Sequence, residues 1–176
     1  GSDADILKLK GPKTTVVDLN GAFAMPGFND AHVHLASAGE RKLTVDLTGA
    51  TSLNDMLARI RTYAASHASE PRSWLQGSGW DHTAWPSKTL PTRTDLDAVT
   101  GAHPAIFTRI DGHIAIANST ALAIAGISAA TPDPPGGKFD RDASGNPTGI
   151  VREGPAIALI SAKIPPLSED DRHRAL

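Results

Sequence analysis

The tightest constraint on the fold is the periodicity that follows Ser52. Leu53, Met56, Leu57, Ile60, Tyr63 and Ala64 recur at helical spacing, which predicts one apolar stripe along a helix over residues 53–67. Ser52 with Asp55 three residues on is a capping-box pattern that sets where the helix starts. Such a stripe needs a surface to cover, and the flanking sequence offers short β-prone runs at Lys42–Leu47, Trp74–Gly79 and Pro104–Ile110. A short capped helix is expected at Thr94–Val99, and another at Asn118–Ala125, closed by Gly126 as a left-handed cap requires. Further on, Lys138–Asp140 and Thr148–Arg152 flank the turn Ala143–Pro147 as a hairpin, and Ala156–Ala162 is expected to be helical. The class this implies is α/β. Ser168 with Asp171 opens one more helix shortly before residue 176, so the chain is expected to be a piece of a longer protein.

Upstream, Thr14–Leu19 and Ala22–Met25 are β-prone runs joined by Asn20-Gly21, a strong hairpin signal. Pro26-Gly27 punctuates the chain, and Phe28–Leu35 is predicted as a strand in which Asp30, His32 and His34 alternate against Asn29, Ala31 and Val33.

Composition narrows the chemistry. A chain of 176 residues, 40% hydrophobic and 20% charged, has a globular balance. A net charge of −2 with mixed signs gives no footprint for nucleic acid or an anionic membrane, and no apolar run is long enough to span a bilayer. With no cysteine there is no thiolate ligand, thiol nucleophile or disulfide. A transition-metal site here would be built from His, Asp, Glu or a modified Lys.

Asp30-x-His32-x-His34 is the chemically most telling motif. On a strand, period-2 geometry would place the three side chains on one face, about 7 Å between successive members. Two imidazoles so placed can converge on one divalent ion if the strand end faces a cavity, such as the top of a barrel. The plainer reading is two histidines placed by chance.

The context of the motif favours the metal. Pro26-Gly27-Phe28-Asn29-Asp30-Ala31-His32-Val33-His34 resembles the Pro-Gly-Phe-Ile-Asp-x-His-x-His signature of the amidohydrolase superfamily. Leu43–Ala50, Gly77–Asp81, Arg109–His113, Ala117–Ser119, Thr131–Gly137 and Gly149–Glu153 look, in that order, like the YtcJ-like branch. That branch includes N-substituted formamide deformylases and related family 3 amidohydrolases. The resemblance implies a piece of a (β/α)8 metallohydrolase barrel with part of a β-sandwich. Residues 1–25 would end the sandwich portion, 26–35 would be barrel strand one, 36–148 an inserted α+β segment, and 149–176 the return to the barrel.

It also implies a reaction and residues. The family hydrolyses carbon–nitrogen, amide-like bonds with a metal-activated water. His32 and His34 match its first two ligands, and a divalent metal, zinc foremost, is the implied cofactor, as one or two ions. Glu153 matches an acidic position that would take the bridging place a carboxylated lysine fills elsewhere; a glutamate near a helix start is also a common dipole partner. Asp30 would hold a histidine tautomer. Trp80, Asp81 and His113 fall in blocks that resemble pocket-lining loops, although Trp80 could equally be core. His67, His82 and His103 read as surface residues and His173 as part of a solvated helix face. The remaining ligands and the catalytic aspartate would lie outside this chain, which alone would be inactive. A small amide-like substrate is implied; neither nucleic acid nor membrane is. Homo-oligomerisation is left open, and the cytoplasm is slightly favoured as compartment. The alternative is a non-catalytic binding module derived from such an enzyme.

Overall fold

The computed structural model describes residues 2–30, 32, 35–70 and 73–175. The chain divides into two units, Gly1–Val33 and His34–Leu176.

The first unit is built from local interactions. Its helix α1 (Asp3–Leu7) is capped by the Ser2 hydroxyl, which accepts from the Asp5 amide. The Asn20-Gly21 turn forms as predicted: both residues have positive φ, 51° and 82°, and the Ala22 amide reaches back to the Leu19 carbonyl at 3.0 Å. The flanking runs do not become strands, and no described residue before Val45 belongs to a sheet. A lone two-stranded ribbon is marginal without a face to pack against, and no described residue of this unit is buried. Of the strand expected over Phe28–Leu35, residues 31, 33 and 34 lie outside the described residues. Residues 28–30 are irregular, His32 lies in a bend, and helix begins at Leu35. A strand exists only with a ladder partner, and residues 28–30 have none among the described residues. Phe28 is left 92% exposed.

The second unit is a mixed sheet between helices. After α2 (Leu35–Glu40) and a 3-10 turn at Arg41–Leu43 come β1 (Val45–Asp46), α3 (Leu53–Ser66), β2 (Leu75–Trp80), a 3-10 turn at His82–Ala84, α4 (Arg93–Thr100) and β3 (Ala105–Arg109). Then follow β4 (Ile114–Ala117), α5 (Ser119–Ala125), β5 (Lys138–Arg141), β6 (Pro147–Arg152), α6 (Gly154–Ser161) and α7 (Glu169–Ala175). The sheet order is β1-β2-β3-β4-β6-β5, parallel from β1 to β3 and antiparallel beyond. β1, β2, β3 and β6 therefore end at the same edge. The boundary expected at residue 148 falls inside β6, whose residues 150–152 pair with β4.

Period-2 alternation divides the core. Phe107, Ile116 and Ile150 face α3 and α4, packing with Met56, Ile60, Leu96 and both Trp80 and Trp85. Ile106, Ala115, Phe139 and Val151 face the other way, onto Leu122, Ala156 and Ile160 of α5 and α6. Asn118 ties the layers. It caps α5, and its fully buried side chain accepts from the Ala105 and Ala121 amides and donates to Thr100 Oγ1 and the His103 carbonyl.

Candidate functional site

The predicted residues fall in two places. In the first unit, the Asp30 carboxylate accepts from the His32 backbone amide at 3.0 Å, an Asx turn that closes over two residues. His32 is exposed. His34 lies outside the described residues.

In the second unit, Asp81, His113 and Glu153 come to one end of the sheet, beyond the C-termini of β2, β3 and β6, the usual edge for ligand sites in open α/β sheets. Two residues not assigned from sequence organise them. Arg109, the last residue of β3, donates from Nη2 to Asp81 Oδ1 at 2.7 Å and from Nη1 to Asp111 Oδ2 at 2.5 Å. Asp111 in turn accepts the His113 amide at 3.1 Å. The β2 and β3 loops are thus tied to one guanidinium, and the second tie sets the start of β4. The signal was present in sequence as one arginine at a strand end among acids at 81 and 111, but only the fold shows which acid it meets.

His113 Nδ1 lies 2.9 Å from Glu153 Oε2, and the Glu153 amide donates to the His113 carbonyl at 2.7 Å. Glu153 adopts φ 68°, ψ 155°, a region populated almost only by glycine, which costs on the order of 1–3 kcal/mol. Glu153 is the N-cap residue of α6 but makes no side-chain capping bond, so its carboxylate meets the helix through charge alone, as a dipole partner does. Strain held at a non-glycine position is a mark of functional sites.

The charges are set by neighbours. The Thr83 hydroxyl and then the Arg109 guanidinium hold the Asp81 carboxyl down to about 2. Burial pushes Asp111 up, but the His113 amide and Arg109 outweigh it and leave the carboxyl below its ordinary range. The hydrogen bond and charge of Glu153 raise His113. Burial and then Arg109 lower His82. His82 Nδ1 and Arg109 Nε are buried without a hydrogen-bond partner among the described residues. An imidazole and a carboxylate in contact, both more than half exposed, can donate to a cation or relay a proton.

Trp80 is not beside them at the surface. It is fully buried, stacked 6.3 Å from Trp85, with Nε1 donating to the Phe107 carbonyl at 3.0 Å. In this chain it is core, because an indole with its N–H satisfied internally is best spent inside. His103 is also buried rather than surface, with Nδ1 3.0 Å from the Ser73 carbonyl, and His67 packs on the Tyr63 ring. The donors of a divalent site are right in kind, imidazole and carboxylate without thiolate. Among the described residues no three of them gather closely enough to hold an ion.

Comparison with known proteins follows the same lines. The profile of the amidohydrolase family matches residues 15–176. The chain is 38% identical over 162 residues to a putative amidohydrolase YtcJ of Bacillus subtilis, covering 92% of this chain and 30% of that protein. It is 33% identical over 178 residues to an N-substituted formamide deformylase of Arthrobacter pascens, covering 100% of this chain and 32% of that one. It also resembles the crystal structure of a metal-dependent hydrolase from Pyrococcus horikoshii, with a TM-score of 0.60 and 28% identity, over 98% of this chain and 32% of that structure. The chain thus spans about a third of the length of these relatives. A profile match over almost the whole chain, together with relatives 33% and 38% identical over most of it, makes this chain a member of the amidohydrolase family.

Proposed function

We propose that this chain forms part of a metal-dependent hydrolase that cleaves non-peptide, amide-like carbon–nitrogen bonds. The observation that carries the reading is the family match over residues 15–176, which includes Asp30-x-His32-x-His34 and Glu153. The names of relatives support it: one acts on N-substituted formamides and another is described as metal-dependent.

On this reading His32, His34 and Glu153 are ligands to a divalent metal, zinc foremost, with further ligands and the catalytic aspartate supplied from outside these 176 residues. The metal would supply an activated water and polarise the substrate carbonyl. The chain's own residues do the rest. His113 holds the Glu153 carboxylate in one orientation and carries the proton between them. Arg109 fixes the loop that presents His113, and it holds Asp81, kept ionised, beside the substrate as a hydrogen-bond acceptor. Asp30 braces the His32 backbone.

The test is a full-length protein containing this chain, purified without chelator, analysed for metal and assayed on a panel of formamides, amides, carbamates and esters. Bound divalent metal with amide turnover, and a drop of at least about a thousandfold in kcat/KM for His32→Ala, are expected. A metal-free protein, or turnover that survives His32→Ala, would overturn the assignment and favour a non-catalytic module. The isolated 176-residue chain should bind metal weakly and turn over nothing.

A further inference from the structure

A cleft of about 540 Å³ lies along the outer hairpin of the sheet, against the loop that leads into α4, a size within the range of small-molecule sites. Leu90, Pro91 and Ile150 give it an apolar wall, and Lys138, Arg141 and Arg152 supply cations. Register explains the clustering. Lys138 pairs with Arg152 across β5 and β6, and the ladder shifts between Phe139 and Arg141. Bulges of this kind re-aim side chains, and here both Asp140 and Arg141 line the cleft while Phe139 stays in the core.

The cations are not equivalent. Arg152 is neutralised by a two-pronged bond to Asp140, Nε to Oδ1 at 2.8 Å and Nη2 to Oδ2 at 2.7 Å. Arg141 spends its donors on neutral carbonyls, those of Ser128, Ala129, Thr131 and Gly145, and the carboxylate nearest to it, Asp133, stands off at 3.9 Å. The exposed Lys138 ammonium has no hydrogen-bond or ion-pair partner among the described residues. The cleft therefore keeps an excess of positive charge facing an apolar wall, and one of its cations has free donors.

We propose that this cleft binds a small organic carboxylate, its acid group on Lys138 and in the field of Arg141, its apolar body against Leu90, Pro91 and Ile150. The apolar wall is what selects an organic acid over a bare inorganic anion. The site does not use the metal-ligand assignment above, so the two stand or fall separately.

The experiment is titration of the 176-residue chain with hexanoate, hexanamide and inorganic phosphate, followed by two-dimensional amide NMR. Hexanoate should give saturable shifts confined to residues 90–92, 138–141 and 148–152. Hexanamide and phosphate should bind at least about tenfold more weakly, the cost of losing a charged hydrogen bond or the apolar contact. Lys138→Gln should weaken hexanoate about tenfold, and Lys138→Glu should abolish it, with the rest of the spectrum unchanged because the side chain is exposed on an edge strand. Equal binding of hexanoate and hexanamide would reduce the cleft to an apolar groove, and equal binding of phosphate would reduce it to a cationic patch. Either result overturns the proposal, as does the absence of saturable shifts.

Discussion

At the scale of single residues, Glu153 carries the clearest conflict between stability and use. Its backbone sits where glycine belongs, while its carboxylate is held by His113. Glu153→Gly should therefore raise the stability of the fold by about 1 kcal/mol, the released strain less the added chain entropy, as chemical denaturation would show, while metal content of the full-length protein falls. Asn118 is the opposite case, a residue whose whole purpose is structural. Asn118→Ala leaves the Ala105 and Ala121 amides and the His103 carbonyl without their partner, and should cost about 3 kcal/mol in urea unfolding. Asp81 gives a pH signature. Its carboxyl is depressed to about 2, so its contribution to stability is complete above its unfolded value of about 4 and is lost as pH falls from there through about 2. In Arg109→Met the carboxyl should titrate higher by carboxyl NMR, yet short of its ordinary value, since the Thr83 hydroxyl is the larger cause. None of this could be read from composition. Asp81, His113 and Glu153 stood out as motif members, but their meeting at one edge depends on which strands are neighbours, and that is decided over long sequence distances.

At the scale of elements, legibility followed local chemistry. The helices expected from residues 53, 94 and 118 begin at Leu53, Arg93 and Ser119, because Ser52, Thr92 and Asn118 each offer a side-chain oxygen to the orphan amide three residues on. β4 escaped the sequence reading, since Ile114-Ala115-Ile116-Ala117 is short and earns strand geometry only by lying between β3 and β6. The Asn20-Gly21 turn formed without its ladder for the converse reason. A turn is written in two residues, and a ladder needs a surface to rest on. α2 and α7 meet at a point of very close approach, where a Cβ on Gly39 would stand 2.0 Å from the Ala175 carbonyl oxygen. Gly39→Ala should force these helices apart and lower stability by about 2 kcal/mol, and amide shifts should change in both helices while α5 and α6 keep theirs.

At the scale of the molecule, the chain joins a unit with two buried apolar clusters to a unit in which no described residue is buried. Amides of residues 2–30 should exchange with solvent within seconds, and those of β2, β3, β4 and β6 should be protected to the level of global unfolding, a contrast hydrogen-exchange mass spectrometry would resolve. Phe23 and Phe28, 86% and 92% exposed, favour self-association of the isolated chain, and concentration-dependent light scattering would register it. The mixed α/β class was legible because short β-prone runs alternate with capped amphipathic segments. The six-stranded order was not, because it turns on β6 inserting between β4 and β5.

A single guanidinium spans the loops after β2 and β3, and this ties their evolution as well as their positions. With Arg109 in place, an altered acid at 81 or 111 strands half of a positive charge, so tolerated replacements at these three positions should arise together or not at all. In a combinatorial library the surviving sequences would then occupy a few correlated combinations rather than drift independently.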